Sequence, residues 1–175
     1  CIYQGEELGM TEAVLDFESL RDPYGIRFWP TFKGRDGCRT PMVWDNGNSY
    51  GGFSTSKPWL PIPPEHLHLA AENQEGNSQS LLEHYRQALA FRARHPELIK
   101  GDIAFVAESE SVLVFDRTAG GSTIRVAINL GGEPTQIELD TEGFTQLQAP
   151  GPHGHVKEGG VELPPYGCWF ANRTD

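Results

Sequence analysis

Gly34-Arg35-Asp36-Gly37-Cys38-Arg39-Thr40-Pro41-Met42-Val43-Trp44 is the stretch on which the reading of this chain turns. Gly and Pro give a loop its backbone angles, but a loop does not need two arginines and a tryptophan. Arg presents a planar fork of donors that can hold a carboxylate or sugar hydroxyls, and Trp offers a flat apolar face. The stretch therefore reads as one wall of a polar binding pocket.

Around it, residues 5 to about 77 show little periodicity yet hold Phe17, Tyr24, Phe28, Trp29, Phe32, Trp44, Tyr50, Phe53 and Trp59. Loops beyond ~15 residues are usually functional or disordered, and this aromatic content argues against disorder. The segment is expected to be an ordered excursion packed on something large, with a helical turn near Thr11 to Phe17. Upstream, Cys1-Ile2-Tyr3-Gln4 reads as a short strand. A chain that opens inside a strand, without Met or a signal peptide, suggests the later piece of a longer protein.

Downstream, Ser80-Leu81-Leu82-Glu83 has the capping-box pattern. Leu81, Leu82, Tyr85, Ala88 and Leu89 then recur at helical spacing, with Glu83, Arg86, Gln87 and Arg94 largely opposite. A helix over about 78–94 is expected, its end favoured by Arg92, Arg94 and His95 and stopped by Pro96. From Leu98 the period becomes two. Strands are expected at 103–107, 111–117, 123–130 and 135–139, with weaker ones at 144–147, 161–163 and 167–171. Glu108-Ser109-Glu110, Gly120-Gly121 and Gly131-Gly132 separate them as hairpin-like turns. The last ~75 residues read as a small antiparallel β-sandwich.

The bulk numbers restrict the function. With 14 basic and 24 acidic residues the formal charge is -10, which disfavours nucleic acid and anionic membranes as partners. The apolar runs are too short to span a bilayer. Three widely spaced cysteines, Cys1, Cys38 and Cys168, fit neither a disulfide framework nor a Cys-ligated zinc. Reduced thiols in a cytoplasmic protein are the expectation, with one Cys pair left open.

Two motifs carry a family resemblance. Ile2-Tyr3-Gln4-Gly5-Glu6-Glu7-Leu8-Gly9-Met10 resembles the last barrel strand and following loop of the α-amylase superfamily, glycoside hydrolase family 13. Phe28-Trp29-Pro30 with Gly34-Arg35-Asp36-Gly37-Cys38-Arg39-Thr40-Pro41-Met42 resembles the next loop of its α-glucosidase and oligo-1,6-glucosidase branch. Gly52-Phe53-Ser54, Lys57-Pro58-Trp59-Leu60 and Arg92-Ala93-Arg94-His95-Pro96 continue the likeness in order. Val43 departs from the Gln or Pro common at that place.

The resemblance implies an α/β fold: residues 1–97 ending a (β/α)8 barrel (strand eight, active-site loop, helix eight), and residues 98–175 forming a C-terminal antiparallel β domain. Active sites of such barrels lie on the loops after the strands, which would place residues 5 to 77 on the active-site face. The implied reaction is retaining hydrolysis of terminal α-linked glucose, with transfer to acceptors as a second outcome. It needs two carboxyl groups roughly 5 Å apart. In the family these follow strands four and five, and a further Asp sits in a His-Asp pair after strand seven. Here no histidine precedes an aspartate, and no Gly-Phe-Arg-x-Asp occurs. No catalytic residue is expected in this chain, and the preceding barrel segment would be its partner. No cofactor is expected on these residues, and any divalent cation would belong to barrel loops outside this sequence.

Substrate-binding candidates are then Arg35, Arg39, Phe28 and Trp29. By resemblance Arg35 sits on the floor of the glucose pocket, paired with an acidic residue of the first barrel loop. A purely structural loop arginine is the plainer alternative. Arg39 is expected to brace the loop through carbonyls or Asp36, with a place on the pocket rim second. Phe28 and Trp29 could wall an acceptor site, although core packing is the commoner fate of aromatics. Trp44 is expected in the core. Glu6 and Glu7, adjacent on an extended segment, point opposite ways and are expected to be structural. Asp36 beside Gly suggests a loop hydrogen bond. His153-Gly154-His155 has no third ligand nearby and reads as an exposed loop. Gly120-Gly121 and Gly131-Gly132 lack the strand–helix context of a phosphate loop. Two rivals stay open: a non-catalytic carbohydrate-binding β module, and a sibling enzyme forming trehalose or isomaltulose or transferring glucose from sucrose.

Overall fold

The computed structural model describes residues 1–174, which fall into two compact units, one of residues 1–85 and the other from residue 86 onward. In the first unit, regular structure is sparse. Glu6–Leu8, Phe17–Ser19 and Asp36–Cys38 are 3-10 turns; Pro23–Phe28 (α1), Pro64–Leu67 (α2) and Ala71–Gln74 (α3) are short helices. Pro at the first turn starts α1 and α2, because Pro lacks the N–H that a helix start leaves unpaired. The expected strand at Cys1–Gln4 is not present. Ile2 and Tyr3 are exposed, and a strand without a neighbour to pair with has nothing to hold it. The turn expected at Thr11 to Phe17 forms later, at Phe17–Ser19.

The unit has a modest apolar core of Ala13, Leu15, Leu20 and Leu60, with Trp29 packed against it. Much of its order comes from polar groups answering backbone donors. Glu6 accepts from the Tyr3 N–H at 3.1 Å and Glu7 from the Gly5 N–H at 2.9 Å, so both are structural. They lie on a 3-10 turn and not on an extended segment. Gln74 donates to the Leu8 and Leu69 carbonyls and accepts from the Leu82 N–H, tying three separated segments together.

The expected long helix is observed at Leu81–Arg94 (α4). Ser80 Oγ accepts from the Glu83 N–H at 3.2 Å, while the Glu83 carboxylate accepts from the Gly76 N–H at 3.0 Å. Pro96 ends α4 and begins a further helix, Pro96–Lys100 (α5), so Leu98, where the period of two was expected to start, is helical.

In the second unit, Asp102–Glu108 (β1), Val112–Ala119 (β2), Ser122–Asn129 (β3), Thr145–Gln146 (β5) and Cys168–Thr174 (β8) make one antiparallel sheet in the order β1-β2-β3-β8-β5. Thr135–Glu138 (β4), His155–Lys157 (β6) and Gly160–Leu163 (β7) make a second, in the order β4-β7-β6. Alternation along the strands puts Val112, Val114, Ala127, Trp169 and Ala171 on the face that meets Leu139, Val161 and Leu163, which is the core of a sandwich. On the opposite face, Phe91 packs edge-on against Phe170 at 5.2 Å.

Gly120 and Gly121, both at positive φ (59° and 78°), close the β2–β3 hairpin as a primed turn requires. Gly131-Gly132 is not a hairpin, since β3 and β4 belong to different sheets. Buried Asn129 holds this crossing: its Nδ2 donates to the Glu133 and Pro164 carbonyls, and its Oδ1 accepts from the Gly131 N–H. His153-Gly154-His155 is more ordered than a free loop. His153 bridges Cys168, and His155 opens β6.

Candidate active-site loop

Residues 20–39 form a doubled-back loop whose two limbs touch. The limbs come close at Gly25, where an added Cβ would lie 2.5 Å from the Lys33 carbonyl oxygen. Two carboxylates fasten the limbs. Asp36 is fully buried, and its Oδ2 accepts from the backbone N–H of Arg21 at 2.5 Å and of Asp22 at 2.7 Å. Asp22 caps α1 by accepting from the Tyr24 N–H at 3.0 Å, and its other oxygen accepts from the Arg35 N–H at 2.9 Å. These two N–H donors hold the Asp22 carboxyl below the usual carboxylate range, first Tyr24 and then Arg35, with the charges of Arg39 and Arg35 adding to the effect.

The four candidate residues sit on this loop in different ways. Arg35 is exposed, and among the described residues its guanidinium has no hydrogen-bond or salt-bridge partner. Arg39 is half-buried and likewise unbonded through its side chain, so the expected bracing through carbonyls or Asp36 is not made. Backbone donors occupy Asp36 Oδ2, and its Oδ1 has no hydrogen-bond partner among the described residues. Phe28 is exposed at the end of α1, stacked on Tyr24 at 6.3 Å, with the Arg27 guanidinium 5.5 Å from its ring centre. Trp29 is half-buried against the apolar core and 5.7 Å from Phe17. Trp44, expected in the core, is exposed.

Cys38 donates its thiol to the Arg35 carbonyl at 3.0 Å, and all three cysteines are free. Two small cavities of about 150 and 170 Å³ flank Gly37, and Glu12 lines both. They fall below the ~300–1,000 Å³ usual for ligand sites, and neither is lined by Arg35, Arg39, Phe28 or Trp29. Among the described residues there is no cluster of three or more His, Cys, Asp or Glu able to hold a metal, and no helix is long and apolar enough to cross a membrane.

Asp22 is the residue that sequence reasoning missed. Its signal was present: Asp before Pro is an N-cap followed by a first-turn proline. The reach to Arg35, thirteen residues away, had no sequence signal.

The model of the alpha-amylase catalytic domain matches residues 1–101. The chain belongs to the alpha-amylase family. It is 48% identical over 171 residues to a probable alpha-glucosidase of Rhizobium meliloti, covering 98% of this chain and 31% of that relative. To an oligo-1,6-glucosidase of Halalkalibacterium halodurans it is 30% identical over 159 residues, covering 81% of this chain and 28% of that protein. The crystal structure of the alpha-glucosyl transfer enzyme XgtA superimposes with a TM-score of 0.92 at 42% identity, over 99% of this chain and 32% of that one. The chain thus spans about a third of the length of the relatives it matches.

Proposed function

We propose that this chain is the C-terminal part of a retaining α-glucosidase that releases terminal α-linked glucose from oligosaccharides. In this reading residues 1–97 complete a (β/α)8 barrel, and the catalytic carboxylates stand on a preceding segment. The observation that carries it is an exposed Arg35 guanidinium without a hydrogen-bond or salt-bridge partner among the described residues, on a loop whose backbone is fastened by two carboxylates, in a chain 48% identical to a probable alpha-glucosidase. A donor fork held on a fixed backbone suits the task of orienting a sugar. Arg35 would grip hydroxyls of the terminal glucose, beside an acidic residue of the preceding segment. Arg39 would stand at the rim, and Phe28 with Trp29 would border the acceptor side. The chemistry would be the two-carboxylate double displacement, with water or a second sugar taking the glucosyl group. Three free thiols fit a reducing, cytoplasmic setting.

Transfer of glucose to an acceptor is the second reading, favoured by the 42% identity to an alpha-glucosyl transfer enzyme. Which outcome dominates depends on how far the closed site excludes water.

The test is Arg35→Ala in the enzyme that carries this segment, with a 4-nitrophenyl α-glucoside as substrate. The loss expected in kcat/KM corresponds to ~2–4 kcal/mol, from a sugar left ungripped and a facing carboxylate left unpaired. Wild-type kinetics in that variant would remove Arg35 from the site. A full-length enzyme without turnover of any α-glucoside would remove the proposal itself.

A further inference from the structure

The two carboxylates that fasten the loop are reciprocal. Asp36, on the second limb, accepts from backbone donors of Arg21 and Asp22 on the first. Asp22, on the first limb, accepts from the backbone donor of Arg35 on the second. Gly34 sits at φ 77°, and a Cβ there would lie 2.9 Å from Asp22 Oδ2, so the limb approaches Asp22 as closely as a glycine permits. Among the described residues no hydrogen bond or salt bridge fixes the Arg35 guanidinium. Its position therefore comes through its backbone, and the Arg35 N–H is answered by Asp22.

We propose that Asp22 is a positioning residue for the substrate-binding Arg35, acting through the Asp22 carboxylate–Arg35 N–H hydrogen bond; this rests on the role given to Arg35 above. Asp22 has no contact with substrate in this scheme. It sets the place from which the Arg35 side chain reaches out, and Asp36 fixes Asp22 in turn.

The chemistry of Asn separates this role from ordinary bracing. Asp22 serves two donors with two oxygens, Tyr24 with Oδ1 and Arg35 with Oδ2. Asn has a single acceptor oxygen, and its amide would face an N–H at the other place. The bond to Tyr24, two residues on, is the local Asx-type contact and persists in Asn. The long-range bond to Arg35 is the one lost. Asp22→Asn thus keeps the α1 cap and releases Arg35. Gly34→Ala attacks the same bond from the other side and leaves the Asp22 charge in place.

The experiment is a double-mutant cycle in the enzyme that carries this segment, read by kcat/KM on the 4-nitrophenyl α-glucoside and by amide exchange at residues 34–36. Asp22→Asn is expected to lower kcat/KM about 10-fold and to speed exchange of the Arg35 amide. In an Arg35→Ala background the same substitution is expected to cost nothing further, because the group it positions is gone. A bracing role without positioning would lower both backgrounds equally, and that result, or unchanged kcat/KM in Asp22→Asn, would overturn the proposal. Should Asp22→Asn fail to fold, Gly34→Ala takes its place in the cycle with the same expected pattern. Wild-type kinetics in Arg35→Ala alone would instead defeat the assignment of Arg35, and the positioning role would fall with it; that arm is read separately from the cycle.

Discussion

Replacing Asp116 by Ala would strand a charge inside the sandwich. Asp116 on β2 stands opposite Arg125 on β3, and their side chains are 16% and 11% exposed. The guanidinium donates twice, from Nε to Oδ1 and from Nη2 to Oδ2, both at 2.8 Å, and once from Nη1 to the Asp140 carbonyl at 2.8 Å. The Phe144 ring centre lies 4.5 Å from its Cζ. Pairing with Asp116 raises the Arg125 pKa above its usual value, outweighing the opposing effect of burial. A cation with a raised pKa contributes its stability at all pH values below its unfolded value and loses it only as pH rises through the folded one. This contribution is therefore constant across the neutral range.

Breaking a buried pair from one side costs ~3–5 kcal/mol. The Asp140 carbonyl and the Phe144 ring stay with Arg125, which argues for the lower end, about 3 kcal/mol. At that value, amides of β2 and β3 that exchange through unfolding of this unit should exchange about two orders of magnitude faster. Native-state hydrogen exchange on the intact protein measures this directly. The double variant Asp116→Leu/Arg125→Met removes both charges and should lie within about 1 kcal/mol of wild type. Unchanged exchange in Asp116→Ala would refute the reasoning, since it would mean that water already screens the pair.

Asn129→Leu leaves the Gly131 N–H and the Glu133 and Pro164 carbonyls without their partner, so a loss of about 3 kcal/mol and earlier proteolysis near Gly131 are expected. Burial pushes the Cys168 thiol up, whereas Cys1 and Cys38 are exposed. Labelling with a disulfide reagent at neutral pH should therefore be fast at the two exposed cysteines and slow at Cys168, with equal rates at all three refuting that ordering. The Asp22 carboxyl is held below its usual 3.8, so its bonds contribute above that value and are lost as pH falls through the lower folded one. Protection of the Arg35 amide, corrected for intrinsic exchange, should stay level between pH ~5 and ~8 and fall below ~4.

What the sequence disclosed was local. Helix α4 was legible because a capping Ser stands directly before fourteen contiguous residues that carry a 3.6-residue apolar period. The strands of the second unit were legible through alternation, and the β2–β3 hairpin through Gly120-Gly121. Gly131-Gly132 carried the same signal and misled. The crossing between sheets there depends on Asn129 reaching Pro164, thirty-five residues away. Pro96 marked a helix end correctly, yet the same residue begins α5, and one residue type signals both. In the candidate site, Arg35 was visible because its type is unusual in a loop, and Asp36 because Asp beside Gly suggests a backbone bond. Asp22 stayed hidden: its role depends on the return of a limb thirteen residues later, which no local period encodes.

The two units reach order by different means, and this bears on why the loop can serve a polar ligand. In the second, two sheet faces share eight buried residues, and specificity comes from complementary apolar shape. In the first, the apolar cluster is the small group Ala13, Leu15, Leu20 and Leu60, while Tyr24, Phe28, Phe32, Trp44, Phe53 and Trp59 remain exposed. The backbone there is held by Glu6, Glu7, Asp22, Asp36 and Gln74, each answering main-chain groups that an irregular segment leaves unpaired. A loop fixed this way does not need its long side chains for packing. Carboxylates turned inward to the backbone also leave Arg35 and Arg39 without a salt-bridge partner among the described residues, although the segment is rich in acid. An Arg paired to a neighbouring Asp would have to break that pair before gripping a sugar. By spending Asp22 and Asp36 on N–H groups, the loop leaves the Arg35 fork free without losing its own shape.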